Sequence, residues 1–205
     1  MFRSHRLVLA SSSPRRRELL DRVGLTHEVR CPGIDEERLA GESPRAYVLR
    51  AAREKADAVS RDLGDASAWV IGADTVVVLD GEPLGKPSDA RSAVQMLVAL
   101  GGREHRVLTG WAVIGPSGAE RAGVEETRVW FRPIGLEEVE AYVATGEPLD
   151  KAGAYGIQGA GCFLVERIEG SYENVVGLPV CPVVSALLDL SAIEVRATPP
   201  TRRAS

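Results

Sequence analysis

Cysteine is scarce in this chain of 205 residues, and the three present, Cys31, Cys162 and Cys181, are odd in number and lack the spacing of metal ligands. That argues against a disulfide framework and a zinc site, and leaves reduced thiols as the expectation. Histidine is as sparse: His5, His27 and His105 form no cluster along the chain, and a structural role is expected for each. No apolar run is long enough to span a bilayer. Residues 1–6 carry no apolar segment of the signal-peptide kind, so a cytoplasmic location with no membrane partner is expected. The longest basic tract is Arg15-Arg16-Arg17, in a chain of net charge −4. Nucleic acid is therefore disfavoured as a partner, because neutralising phosphates along a strand needs a basic face. Internal repeats and low-complexity linkers are absent too.

What is present is an ordinary globular balance, 44% hydrophobic and 26% charged, enough for one sizeable core. Residues 1–197 are expected to form one domain. Residues 198–205, opened by Thr198-Pro199-Pro200, are expected to be a disordered tail. A short apolar strand is predicted over 7–10, followed by a serine turn and a helix to about 23, with Ser13 as N-cap and Pro14 in the first helical position. Further helices are predicted from Ser43-Pro44 to about 59, from a cap at Ser88 to Gly101-Gly102, over 136–144 and over 183–190. Strands are predicted over 69–79, 106–114, 125–131 and 163–168, with Asp80-Gly81 as a hairpin turn and residues 150–161 as a glycine-rich loop. Helices interleave with strands, yet hairpins occur as well, so the expected class is α/β with a mixed sheet.

Charge in places that should be apolar marks the candidate site. Arg16 shares a helix face with Leu19 and Leu20, and three arginines occupy a first turn where the helix dipole repels cations. An anion would offset this, and a strand, a serine turn and a helix N-terminus together make a phosphate cradle. Arg17 can instead pair with Asp21, four residues on. Lys55 falls on the apolar stripe of Val48, Ala51, Ala52 and Val59, either as a second phosphate-binding cation or as a snorkelling side chain. Asp74 interrupts two apolar runs, where a carboxylate is costly unless it is paired, binds metal or faces a cleft. Lys86, in Gly85-Lys86-Pro87, and Glu36, in Asp35-Glu36-Glu37, say little alone. In the segment from Asp150 to Gly159 the glycines permit close backbone approach to a ligand. The planar amide of Gln158 complements a uracil or thymine edge. Together these residues point to nucleotide phosphate chemistry without saying which bond breaks.

The same stretches resemble the Maf family of nucleotide pyrophosphatases. The matching pieces are Leu9-Ala10-Ser11-Ser12-Ser13-Pro14-Arg15-Arg16, Ala52-Arg53-Glu54-Lys55-Ala56, Ile71-Gly72-Ala73-Asp74-Thr75, Gly85-Lys86-Pro87, the segment 150–159 and Val176-Gly177-Leu178-Pro179. They run in the family's order over nearly the whole chain. The resemblance implies a fold like that of the inosine triphosphate pyrophosphatases, with an elongated mixed sheet, surrounding helices and a cleft between two lobes. It implies cleavage between the α- and β-phosphates with a divalent metal, Mg²⁺ or Mn²⁺, and a possible homodimer. Asp74 matches the catalytic proton acceptor. Ser11, Arg15, Arg16, Lys55 and Lys86 match polar positions around the triphosphate, and Glu36 matches an acidic position near the metal, which Asp74 would share. Arg15, Thr75 and Gln158 match positions linked to the dTTP/UTP subgroup, whose loop resembles 150–159 here. Two other readings stand beside this one: a 7-methyl-GTP-type pyrophosphatase, and a non-catalytic nucleotide-binding regulator of cell division.

Overall fold

In the computed structural model, residues 1–34, 37–64 and 67–196 are described. In chain order the elements are β1 (Phe2–Ser4), β2 (Leu7–Ala10), α1 (Pro14–Arg22), β3 (Glu28–Arg30), α2 (Pro44–Leu63), β4 (Trp69–Leu79), β5 (Glu82–Leu84) and α3 (Ala90–Leu100). There follow β6 (Glu104–Ile114), β7 (Glu120–Phe131), α4 (Leu136–Ala144), β8 (Val165–Glu169), α5 (Tyr172–Val176), α6 (Val180–Asp189) and β9 (Ile193–Val195). Short 3₁₀ turns occupy Glu147–Asp150, Ala152–Ala154 and Ala160–Leu164.

The main sheet runs β3-β2-β4-β6-β7-β8, with β5 added to β4. β2 is parallel to both β3 and β4, whereas the β4–β6, β6–β7 and β7–β8 pairs are antiparallel. This is the mixed sheet expected. Period-two alternation along β4 sends alternate side chains to opposite faces. On one face Val70, Val76 and Val78 meet α2, whose Val48, Ala52 and Ala56 complete two apolar clusters. On the other face two separate cores form. Leu7, Leu9, Ile71 and Val113 pack with α1 and α6. Val77, Val107, Val129 and Phe131 pack with α3 and α4. These two cores are the two lobes, joined by the long strands.

Local chemistry explains where the elements begin. Asp80 (φ 52°) and Gly81 (φ 88°) both adopt left-handed backbone, which a tight two-residue hairpin requires. Ser43 caps α2 by accepting from Ala46 N at 3.3 Å. α3 is capped by Asp89 rather than Ser88. Its carboxylate accepts from Ser92 N at 2.7 Å, and Ser92 Oγ accepts from Asp89 N at 3.0 Å, so the reciprocal capping box lies one residue later than expected. Ser13 occupies the N-cap of α1 but its side chain makes no capping bond. Phe163 belongs to a 3₁₀ turn and not to β8, and α6 starts at Val180, immediately after Pro179.

Two glycines set how closely α2 lies on the sheet. A Cβ on Gly72 of β4 would overlap the Ala52 carbonyl oxygen, and one on Gly110 of β6 would overlap the Val48 carbonyl. Both obstacles are helix backbone, so neither can rotate away. Gly110→Ala is expected to push α2 off the sheet and to destabilise the chain by about 3 kcal/mol, as overpacking does. A chemical-denaturation midpoint indistinguishable from that of the unsubstituted chain would contradict this close approach.

Candidate active site

The register of β4 creates an opening in the sheet. β2 pairs with Trp69, Val70, Ile71 and Gly72, and β5 pairs with Val77, Val78 and Leu79 on the same edge. Residues 73–76 lie between them, and among the described residues no strand pairs with that part of the edge. A cleft of about 1060 Å³ opens there. Ser11, Arg15, Arg16, Lys55, Asp74, Thr75, Lys86 and Gln158 all line it, as do Ser12, Ser13 and Pro14 at the start of α1. The structure therefore gathers every expected site residue except Glu36, which lies outside the described residues.

Arg16 closes the exposed edge. Its guanidinium donates to the Ala73 carbonyl (2.8 Å), the Gly177 carbonyl (2.8 Å), Ser11 Oγ (3.1 Å) and Thr75 Oγ1 (3.2 Å). The cation that seemed to oppose the helix dipole is thus met by the protein's own oxygens, and Arg16 is buried among them. Arg15 is half-buried and reaches Asp150 Oδ2 on the opposite wall at 3.3 Å. Arg17 is exposed and makes no ion pair with a described residue. Asp21, its expected partner, lies 3.8 Å from His27 Nδ1.

Lys55 and Asp74 meet across the α2–β4 contact. Lys55 Nζ donates to Asp74 Oδ1 at 2.7 Å, and the two residues are only 4% and 6% exposed. The lysine does not snorkel. Placing a charge on the apolar stripe of α2 supplies the carboxylate on β4 with its partner, which resolves two anomalies of the sequence at once. Thr75, the next residue, faces the other side of the sheet. It pairs with Thr109 Oγ1 at 2.9 Å, and Thr109 donates to the Asn174 carbonyl at 3.1 Å.

The opposite wall is residues 147–161. Lys151 Nζ contacts Asp150 Oδ1 and the Glu147 carbonyl, each at 2.6 Å. Burial pushes the Asp150 carboxyl up, but Lys151 and Arg15 outweigh it and leave the group below its ordinary value. Lys86 is exposed at the rim and Gln158 is half-buried. Tyr155 anchors this wall through its hydroxyl, 2.9 Å from His105 Nε2. Burial holds His105 down to about 4, so it is neutral near pH 7.

Three features of the site escaped the sequence. Asn174 is fully buried and its Nδ2 donates to the Val107 carbonyl and to Thr127 Oγ1, both at 3.0 Å. It supports Thr109, and through it Thr75, but it sits in a short helix with no periodic signal. Tyr142 and Glu147 bind the glycine loop from within. The glycines of this segment are tightly surrounded: Cβ atoms on Gly156, Gly159 and Gly161 would strike Lys151, Glu147 and Tyr142. These glycines make room for the protein's own side chains, and Gly156 and Gly159 also line the cleft.

Comparison with known proteins gives a consistent picture. Residues 6–190 match the family model described as Maf-like protein. A dTTP/UTP pyrophosphatase of Desulfotalea psychrophila is 52% identical over 190 residues, spanning 92% of this chain and 96% of that protein. Another of that name, from Anaeromyxobacter sp., is 55% identical over 186 residues, spanning 89% and 88% of the two chains. Among solved structures, the Staphylococcus aureus Ham1 protein aligns over 91% of this chain and 99% of its own with a TM-score of 0.51. At 16% identity that likeness concerns the fold, and it agrees with the architecture expected.

Two outcomes follow from this geometry. Arg16→Lys keeps the charge but loses the fork that serves two carbonyls, and should cost about 2 kcal/mol or more of stability. Arg15→Lys, at a partly exposed pair, should cost less than about 1 kcal/mol. Equal losses in denaturant titration would contradict the distinction. For His105 the folded value lies below the unfolded one, so the unfolded chain binds the extra proton between pH 6.5 and about 4. Stability contributed by neutral His105 is therefore lost as pH falls through that window, by up to about 3 kcal/mol. The stability difference between the unsubstituted chain and His105→Gln should shrink on going from pH 7 to pH 4.5; a constant difference would contradict it.

Proposed function

The chain belongs to the Maf family, and from that premise we propose that it is a nucleoside triphosphate pyrophosphatase, taking dTTP, UTP and related modified pyrimidine nucleotides to the monophosphate and pyrophosphate. The observation that carries the reading is the buried Lys55–Asp74 pair beside a break in the sheet edge, inside a cleft rimmed by cations. The names and near-complete coverage of relatives about half identical to this chain support the pyrimidine preference over a 7-methyl-GTP substrate.

In this reading the triphosphate lies along the opening at residues 73–76. Arg15 and Lys86, at the accessible part of the cleft, meet phosphate oxygens, and their charge offsets what develops on the departing pyrophosphate. Arg16 acts chiefly by holding Ser11, Thr75 and the β4 edge in place. Asp74 orients the attacking water and takes its proton, and Lys55 fixes that carboxylate. The water strikes the α-phosphorus in line with the leaving pyrophosphate, so no covalent enzyme intermediate is needed. Gln158 faces the base, where its amide matches the donor and acceptor of uracil or thymine. Such an activity would serve to clear modified pyrimidine nucleotides from the pool.

The residues fit a divalent ion carried by the substrate. Among the described residues no three acidic, histidine or cysteine side chains gather as a cage. Magnesium commonly needs only one or two carboxylates and completes its shell with phosphate oxygens and water. Asp74, a hard oxygen donor on the cleft wall, would hold it. When bound, Mg²⁺ or Mn²⁺ would neutralise phosphate charge.

The test is a panel of triphosphates with either metal and identification of both products. Monophosphate and pyrophosphate from dTTP and UTP are expected. Diphosphate with orthophosphate, or nucleotide binding without turnover, would contradict the proposal, the latter in favour of a regulator. Asp74→Asn keeps an acceptor for Lys55 Nζ and should still bind nucleotide, while kcat falls about a hundredfold or more.

A further inference from the structure

A feature of the loop wall goes beyond phosphate chemistry. The Gln158 side chain makes no hydrogen bond with a described residue, so its position depends on the backbone that carries it. That backbone is held two residues to either side. Gly156 N donates to Tyr142 Oη at 3.1 Å, and Ala160 N donates to Glu147 Oε2 at 2.8 Å. Gly161 N reaches Glu147 Oε1 at 3.2 Å, and the Tyr142 hydroxyl donates to the same oxygen at 2.8 Å. One carboxylate thus gathers both ends of the segment. Burial raises the Glu147 carboxyl, but the Tyr142 hydroxyl and the two backbone N–H groups outweigh it. The glycine pattern fits the same purpose, since side chains at 159 and 161 would displace Glu147 and Tyr142.

We propose that Glu147 is a positioning residue for nucleobase selection, clamping the segment 156–161 so that the Gln158 amide stands at a fixed place on the cleft wall. The inference rests on the reading of the chain as a pyrimidine triphosphate pyrophosphatase. Glu147 takes no part in the phosphate steps. Its carboxylate already accepts three protein donors out of roughly four lone-pair sites, which leaves little capacity for substrate. Tyr142 is its auxiliary, linking the near end of the segment to the same carboxylate. A loop held this way offers its amide to the base without reordering on binding, which concentrates the effect in substrate recognition.

The experiment compares the unsubstituted chain, Glu147→Gln and Tyr142→Phe. Hydrogen exchange is measured at Gly156, Ala160 and Gly161, and kcat and KM are measured for dTTP and dATP. In Glu147→Gln the amide nitrogen replaces an acceptor with a donor, so exchange at Ala160 or Gly161 should speed up about tenfold or more. The preference in kcat/KM for dTTP over dATP should fall about tenfold, through KM for dTTP, with kcat within about twofold. Tyr142→Phe should shift both in the same direction by less. A preference that survives accelerated exchange overturns the proposal, as do unchanged exchange rates. An equal fall in kcat for both nucleotides also overturns it, marking a merely structural role. If the unsubstituted chain does not prefer dTTP, the pyrimidine reading fails and this inference falls with it; a normal preference that Glu147→Gln retains removes this inference alone.

Discussion

A strand of eleven residues cannot be covered along its whole edge by a neighbour of four, and the site grows from that mismatch between β4 and β2. The unpaired stretch has backbone groups that must find partners and side chains that leave on both faces. Arg16 supplies the first need by donating to the Ala73 carbonyl. The second places Asp74 against α2 and Thr75 against Thr109. Two polar side chains of opposite orientation therefore border one opening, although adjacent strand residues ordinarily serve separate surfaces.

Electrostatics divides the cations by task. Lys55 and Arg16 are buried and committed to protein acceptors, so they shape the site. Lys86 is exposed and Arg15 makes only a long contact with Asp150, which a phosphate can displace at little cost. A buried ion pair is weak evidence for stability, because desolvation offsets most of the attraction. The proposed reaction gives the Lys55–Asp74 pair a purpose in so apolar a setting, since it calls for a carboxylate beside the opening. Burial of His105 next to Tyr155 adds a second constraint, anchoring the wall that carries Gln158.

Much of this could be read from residue patterns. The continuous apolar run at 69–79 became β4 with the expected bounds, and the helix over 136–144 likewise matched. Lys55 and Asp74 stood out because each breaks an apolar pattern, and that kind of anomaly survives without knowledge of the fold. Their pairing did not, since residues nineteen apart meet only through the α2–β4 packing. Arg16 stands out by its charge on an apolar helix face, but its acceptors, the Ala73 and Gly177 carbonyls on distant segments, have no sequence signature. Asn174, Glu147 and Tyr142 were missed on the same ground: a buried asparagine or an acid in a turn looks ordinary until its partners are seen. β1, β3 and β9, of three residues each, are too short to show alternation.

The claim at the centre is that the gap in the β4 edge is a polyphosphate seat with Asp74 beside the scissile bond. A crystal structure with a deoxyuridine triphosphate analogue whose α–β bridging oxygen is replaced by nitrogen, in the presence of Mg²⁺, tests it most directly. Phosphates are expected along residues 73–76, with the α-phosphorus nearest Asp74, Arg15 turned from Asp150 to phosphate oxygens, and the base beside Gln158. Phosphates bound away from that edge, with Asp74 and Lys55 paired and remote from them, would contradict it.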